Sequence, residues 1–435
     1  MRYAIYTLGC KVNQYETQAM ETILTGRGHT LTEFDAEADV YIINTCSVTA
    51  VSDKKCRNMI RRTKRAHPDA LIAVCGCYAQ AKPEEVAGLE VDLVAGTGDR
   101  MAFLDQVEQA TLDRSTAAWV SVDNALKRHD FEVLPAGGLV GRTRAMLKVE
   151  DGCVNFCTYC IIPYARGPVR SLPLETAAAQ TRQLRAEGYR ELVLTGIEIS
   201  SWGHDLKNGT GFIDLLEAVS AAAGDMRLRL GSLEPRTITE DFCRRAAKLP
   251  NLCPHFHLSL QSGCDATLAR MKRRYDTARY RQSVDLLRAF FHRPALTTDL
   301  IVGFPGETEE EFQQTLAFLQ DCRFARMHIF PYSRRKGTPA ATMPHQVPNG
   351  EKADRAHRAA EVASAMERSW LTSWVGQTVP VLFEEEKGGF WRGYTPQYVE
   401  VFVQGAGLHN QIRTVTITAA GDTHVFGQLT QEENP

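Results

Sequence analysis

Cys153, Cys157 and Cys160 stand as CxxxCxxC inside VEDGCVNFCTYCIIPYARG, directly after a segment that reads as a strand. Three thiolates on one short loop can hold three irons of a cubic 4Fe-4S cluster, leaving the fourth iron without a protein ligand. An open iron invites a substrate-like ligand. Zinc is the competing reading, but a structural zinc wants four closed ligands and commonly pairs two-residue spacings with a second knuckle. No second knuckle is adjacent.

Another set lies near the amino terminus. Cys10 ends YAIYTLGC, Cys46 ends VYIINTC and Cys77 ends IAVCGC, each behind an apolar run. If those runs are parallel strands of one sheet, the three thiols converge on its carboxyl edge although they are far apart in the chain. Such a set can seat a second cluster with an open iron. Three core cysteines are the alternative, because free cysteine is commonly buried, yet burial alone does not select strand ends three times. Among the others, Cys75 lies inside its strand and Cys56 shares a helical face with Met59, Ile60 and Thr63. Cys243, Cys253, Cys264 and Cys322 have no ligand spacing.

The elements that must position these thiols follow from periodicity. The chain has 435 residues, where one soluble domain takes roughly 100–200. Tyr3 to Leu8, Val40 to Asn44, Leu71 to Val74 and Val91 to Val94 read as buried strands between amphipathic segments, which predicts an open parallel α/β sheet over residues 1–133. Gly and Pro break the period over 134–144, the expected linker. Strand candidates then recur at 145–150, 191–195, 226–231, 255–260, 296–302 and 325–330, each followed by turn residues and a helical pattern. Six βα units in one run predict a partial (βα)6 barrel, TIM-like, over 145–370. Behind a charged helix, VPVLFEEE, YVEVFVQG, IRTVTITAA and DTHVFGQL predict a small antiparallel β-barrel over 371–435. The fold class is therefore α/β with a β-tail.

The CxxxCxxC loop resembles the signature of the radical S-adenosylmethionine (SAM) superfamily. The resemblance implies that the open iron is chelated by SAM, whose reductive cleavage yields a 5′-deoxyadenosyl radical, the cofactor carrying the hard step. Barrels gather strand ends on one face, and there the resemblance implies SAM contacts from Tyr159 of the loop, from Thr195, Gly196 and Glu198, from Ser232, Glu234 and Arg236, and from Gln261. The run DLIVGFPGE resembles the adenine-contacting segment, with Ile301 offering backbone hydrogen bonds and Gly303 allowing close approach. Taken singly, such residues are as readily turn formers or helix caps.

A three-cysteine N-terminal domain, a radical SAM barrel and a β-tail together resemble the methylthiotransferases. TLGCKVNQYE, NTCSVT and GCYAQ resemble the members acting on N6-threonylcarbamoyladenosine, at position 37 of tRNA beside the anticodon; relatives acting on isopentenyl-adenosine or on a ribosomal-protein aspartate carry different residues beside the first cysteine. The resemblance implies two 4Fe-4S clusters, SAM as both radical source and methyl donor, a one-electron reductant and sulfur-supply proteins. No general acid or base is expected; His255 and His257, alternating on a strand, are as readily structural as functional.

RNA contact can be weighed against charge. The net charge is −2, but Lys54 to Arg65 holds seven basic residues, with Lys54, Arg57, Arg61 and Arg65 on one helical face. A phosphate-binding stripe and a solvated surface helix both fit. The tail resembles the TRAM module, an RNA-binding barrel, yet carries three Lys/Arg against seven Asp/Glu. RNA contact there would need a local face such as Arg392 with Trp391 and Tyr394, stacking on an unpaired base; otherwise the tail buttresses the barrel or selects against the wrong macromolecule. The amino terminus lacks a basic stretch followed by an apolar run, so a cytoplasmic protein with reduced thiols and no membrane partner is expected. The rival from another class is a zinc-stabilised, non-catalytic RNA-binding protein.

Overall fold

The computed structural model describes residues 1–114, 119–137 and 142–430; part of the expected linker, 138–141, and the last five residues lie outside it.

The first unit runs β1 (Arg2–Thr7), α1 (Lys11–Gly26), β2 (Thr30–Leu31), β3 (Val40–Thr45), α2 (Ala50–Ala66), β4 (Leu71–Gly76), α3 (Cys77–Ala81), α4 (Pro83–Ala87), β5 (Leu93–Ala95), α5 (Arg100–Leu112) and β6 (Trp119–Ser121). All its strands are parallel, in the order β2-β1-β3-β4-β5-β6. β3 and β4 are buried on both faces because helices cover both, which is why they read as unbroken apolar runs. α2 starts where Thr49 accepts a hydrogen bond from the Ser52 amide and ends with Lys64 and Arg65 in its last turn, both favourable to the helix dipole. β2 and β6 escaped the sequence reading. They are too short to show a period.

The second unit comprises β7 (Arg144–Lys148), β8 (Glu150–Asp151), α6 (Ile162–Arg166), β9 (Arg170–Ser171), α7 (Leu174–Ala186), β10 (Glu191–Thr195), α8 (Phe212–Ala223), β11 (Arg227–Leu230), β12 (Ser232–Leu233), α9 (Glu240–Ala246) and β13 (His255–Leu258). It continues with α10 (Asp265–Arg270), α11 (Thr277–Phe290), β14 (Ala295–Val302), α12 (Glu309–Cys322), β15 (Arg326–Pro331) and α13 (Asn349–Thr372). β11-β10-β7 and β12-β13-β14-β15 are parallel sheets. β11 and β12 are one strand interrupted at Gly231, and a parallel bridge from Leu228 to Leu252 carries the wall across. The wall thus has the six strands expected. Among the described residues β7 and β15 do not pair, so it stays open between them.

The N-terminal unit sits across that opening. α1 packs on β7, and the amide of Ala50 donates to Ser333 Oγ, just past β15, at 3.0 Å. Leu134 and Ala136 of the expected linker are buried in the barrel's core with Tyr15 and Ala19, so the start of the linker, 134–137, is packed.

The tail forms a closed barrel of β16 (Thr378–Lys387), β17 (Phe390–Tyr394), β18 (Glu400–Val403), β19 (Ile412–Ala420) and β20 (Val425–Leu429), in the order β16-β17-β18-β20-β19. It has one strand more than the four expected, β17, and its β18–β20 pairing is parallel rather than antiparallel. Its rim seals the amino ends of the barrel strands: Arg144 donates to Tyr398 Oη at 2.8 Å, Arg227 to Tyr394 O at 3.0 Å and Arg229 to Pro396 O at 2.9 Å. No helix among the described residues is long and apolar enough to cross a membrane.

Candidate functional site

Cys10, Cys46 and Cys77 follow β1, β3 and β4, which are neighbours in the parallel sheet, so the three thiols share its carboxyl edge. Cys10 caps α1, where the helix dipole favours a thiolate. The approach is close: a Cβ on Gly9, whose φ is +118°, would lie 2.6 Å from Cys46 Cβ and 2.8 Å from its sulfur. Asn13 ties the two turns together, donating to Leu8 O at 2.8 Å and Thr45 O at 2.9 Å. All three thiols are free. Burial raises Cys46 and pushes Cys77 up to about 12, with Arg166 opposing in both cases.

Cys153, Cys157 and Cys160 occupy the loop between β8 and α6. Burial raises Cys153 to about 12 and Cys160 to about 11. Arg273 donates to Cys157 Sγ at 3.2 Å, and Arg166, six residues past Cys160, donates to Cys77 Sγ at 3.3 Å. Each triad therefore has a guanidinium on one sulfur, fully buried in the case of Arg166. Bound metal would deprotonate such thiols outright. Among the described residues no three His, Cys, Asp or Glu side chains are placed to hold a single ion; a cubane instead spreads its protein thiolates over three irons. The donor sets fit clusters of that kind better than a mononuclear zinc.

Between the triads lies a buried charge network that sequence periodicity could not reveal. Glu16 of α1 accepts from Arg166, from Arg100 at 2.9 Å and from Lys148 of β7 at 3.2 Å, and Asp151 accepts from Lys148 at 3.2 Å. Against the cost of burial, Arg166, Arg100 and Lys148 hold the Glu16 carboxyl well below its usual range. Arg335, just past β15, donates to Ser47 Oγ at 2.7 Å and lowers the thiols of both Cys46 and Cys160. Its buried Nε and Nη1 have no partner within the protein. They are donors left for a group between the two sets.

Of the residues expected to contact SAM, Glu198, Glu234 and Arg236 line one cavity of about 400 Å³ together with Val154 and Asn155 of the cysteine loop. Glu234 is paired with Arg236 at 2.9 Å, and Glu198 binds the Ser200 amide at 3.2 Å. Burial raises the Glu198 carboxyl. Thr195 ends β10 and Gly196 follows it beside Glu150, whose side chain accepts from the Glu198 amide at 2.7 Å. Ser232 is exposed on β12. Tyr159 packs 6.5 Å from Phe304. Ile301 and Gly303 have other partners as well. The Ile301 amide donates to Gln261 O at 2.9 Å, which leaves its carbonyl as the backbone group for a ligand. Gly303, at φ +70°, is required by its own turn and by Lys352 of α13, which a Cβ would strike.

The barrel interior is polar. His257 bonds Asp299 at 3.2 Å and Thr297 at 3.0 Å, its ring 6.1 Å from that of His328. Arg229 grips both oxygens of Glu191, at 2.7 and 2.8 Å. His255 stacks on Tyr398 at 5.3 Å, and burial holds it neutral, well below the usual imidazole value. Lys11, next to Cys10, opens α1 and is exposed.

The expected RNA contacts divide. Lys54, Arg61 and Arg65 are exposed on α2. Arg57, on the same face, is committed to Glu85 at 2.9 Å and Tyr78 Oη at 3.2 Å. Trp391 is only 9% exposed and belongs to the tail's core, so it offers no face to a base. Arg392 is paired with Glu385 at 2.9 Å and Glu400 at 3.5 Å.

Residues 2–96 match the family described as uncharacterized protein family UPF0004, and residues 147–319 match the radical SAM superfamily. Barrel, cysteine loop and these matches define a radical SAM protein with an added α/β domain. The threonylcarbamoyladenosine tRNA methylthiotransferases MtaB of Bacillus subtilis and Thermotoga maritima are 39% and 36% identical to it, over 98% and 96% of this chain and 96% and 95% of theirs. The chain belongs to the tRNA methylthiotransferase family, in which it resembles the MtaB enzymes. The tRNA-2-methylthio-N(6)-dimethylallyladenosine synthase of Symbiobacterium thermophilum is 34% identical over 99% of this chain and 94% of its own. Among solved structures, the radical SAM methyltransferase TsrM from Kitasatospora setae shares the fold, with a TM-score of 0.56 at 15% identity over 78% of this chain and 75% of that one.

Proposed function

We propose that this chain inserts a methylthio group at C2 of N6-threonylcarbamoyladenosine in tRNA. The observation that carries the reading is the pairing of two three-cysteine sets through one buried arginine, Arg166, which ends the helix behind the loop of one set and touches a sulfur of the other. Residues 1–133 hold the sulfur, 145–370 generate the radical, 134–144 join them and 371–435 buttress the barrel floor.

Cys153, Cys157 and Cys160 would hold one 4Fe-4S cluster, which with SAM would supply the radical that activates C2, and Cys10, Cys46 and Cys77 would hold a second that would supply the sulfur. Arg273 and Arg166 donate to Cys157 and Cys77 and so stabilise negative charge on those sulfurs. Glu198, Glu234 and Arg236 orient SAM in the cavity beside the cysteine loop. The N-terminal unit closes the seam between β7 and β15, bringing the sulfur to the barrel mouth and excluding water from the radical. Lys54, Arg61 and Arg65 bind phosphates. A one-electron reductant and sulfur-supply proteins complete the cycle in the cytoplasm. When bound, a second SAM would supply the methyl group by polar transfer, leaving as S-adenosylhomocysteine.

The test is anaerobic purification followed by assay on tRNA carrying N6-threonylcarbamoyladenosine. Brown protein with iron at both sets and a 2-methylthio product is expected. Colourless protein with stoichiometric zinc would overturn the reading.

A further inference from the structure

Leu296, Leu300 and Val302 of β14, with Met327 and Ile329 of β15, pack into the core that the wall shares with its helices. The residues alternating with them therefore face the lumen. The register sets these in layers: Ile301 beside Phe330 at the carboxyl ends, Asp299 beside His328 below them, and Thr297 beside Arg326 and His257 below that. Register partners on adjacent strands stand about 4.8 Å apart.

A barrel of this type ordinarily fills its interior with branched apolar side chains. Here the lower layers hold imidazole, hydroxyl and carboxylate groups, joined in one chain. A carboxylate only accepts, so His257 donates its Nε2–H to Asp299 Oδ2 at 3.2 Å, and its Nδ1 accepts from the Thr297 hydroxyl at 3.0 Å. Thr297 Oγ1 in turn accepts from His255 Nε2 at 3.3 Å. The chain stops at Asp299. Among the described residues, its Oδ1 has no hydrogen-bond partner and neither does His328, which is exposed, its ring 6.1 Å from that of His257. An acceptor and a donor thus stand side by side, open to the lumen.

The layer above them is apolar and lies between the two cysteine sets. Ile301 and Tyr159 of the cysteine loop pack on one apolar cluster with Phe304 and Tyr332. Phe330 is 44% exposed. Three residues beyond it Ser333 accepts from the Ala50 amide, and Arg335 then reaches Ser47, the neighbour of Cys46. A flat exposed ring suits stacking on a purine. A donor beside an acceptor suits a carbamoyl group, which carries both.

We propose that Asp299 and His328 are the specificity filter for the substrate's N6 substituent, His328 donating to the carbamoyl oxygen and Asp299 accepting from its N–H, with the purine laid against Phe330 and Ile301. The inference rests on the proposed function and deepens it by naming what reads the substituent. A dimethylallyl group in the same place would strip water from both polar residues and make no hydrogen bond to either, which is how a site built on hydrogen bonds rejects a hydrocarbon analogue.

The experiment uses iron-loaded, full-length enzyme and two anticodon stem-loop RNAs, one carrying N6-threonylcarbamoyladenosine and one N6-dimethylallyladenosine. The kcat and KM for methylthiolation and equilibrium binding by fluorescence anisotropy are read. Wild type should favour the carbamoyl RNA by about a hundredfold or more in kcat/KM. His328→Leu should lose about tenfold on that RNA, chiefly in KM and in binding, and gain on the dimethylallyl RNA, so that the preference narrows. Asp299→Leu should narrow it likewise, whereas His328→Asn, which keeps a neutral donor, should retain it. Should His328→Leu fail to load iron, His328→Met is read in the same way. A preference unchanged in these apolar variants, or missing in wild type, overturns the inference while the proposed function stands. Wild type inactive on the threonylcarbamoyl RNA overturns the two together.

Discussion

Arg166 donates its Nε–H to the sulfur of Cys77 at 3.3 Å across 89 residues of chain, while its Nη2 reaches Asn13 Oδ1 at 2.9 Å. The residue that ends the helix behind one cysteine loop is thus part of the wall around the other triad. The two sites are built as one unit, and the Glu16 network is what fixes their separation.

Removing a member of that network should be costly. Arg166→Met leaves Glu16 short of a partner, and breaking a buried pair from one side costs about 3–5 kcal/mol. Glu16→Gln should cost a similar amount, and the double variant less than the sum; urea unfolding monitored by circular dichroism measures all three. The pH dependence has a definite sign. The Glu16 carboxyl is held below its unfolded value, so its contribution is present above that value, 4.5, and is lost as pH falls through the lower folded value. The Glu16→Gln variant should therefore show a flatter decline in acid than wild type.

Cys46→Ala should still cleave SAM but lose sulfur insertion. Quantifying 5′-deoxyadenosine and methylthiolated nucleoside in one reaction separates the two activities. Normal product from this variant would remove Cys46 from the sulfur-bearing set.

Arg273→Leu removes the donor to Cys157. Hydrogen bonds to cluster sulfurs raise the reduction potential, so the variant's radical-generating cluster should be harder to reduce and SAM cleavage slower. A potentiometric titration followed by electron paramagnetic resonance checks the sign; an unchanged or higher potential contradicts it.

On α2, Arg61→Ala and Arg65→Ala should each weaken tRNA binding and reduce the salt slope by about 1. Arg57→Ala should leave that slope unchanged, because Arg57 already serves Glu85. Trp391→Ala should unfold the tail, at a cost of about 3–5 kcal/mol for a core aromatic, rather than remove a stacking contact. Binding isotherms across salt concentrations, together with thermal melts, distinguish these effects.

What sequence could carry was local. Strand ends carrying Cys10, Cys46 and Cys77 were legible because apolar runs mark β1, β3 and β4 directly, and the six barrel strands were legible for the same reason. The Glu16 network was not, since its pairs lie 132 and 150 residues apart and no period links them. Arg57 looked like Arg61 because helical periodicity sorts faces without showing that Glu85 waits on α4. Trp391 was misread because Gly388 and Gly389 hide a hairpin. Recognising β17 would have shown by alternation that Trp391 faces inward and Arg392 outward. That the Ile301 amide is taken by Gln261 was not legible either, because a strand-like motif cannot show which of its amides a neighbouring segment has already engaged.

The most direct measurement of the central claim is the nucleoside profile of tRNA from a strain lacking this chain. Loss of the 2-methylthio form of N6-threonylcarbamoyladenosine, with the 2-methylthio isopentenyl form intact, is the result expected. The reverse pattern, or an unchanged profile, would contradict it.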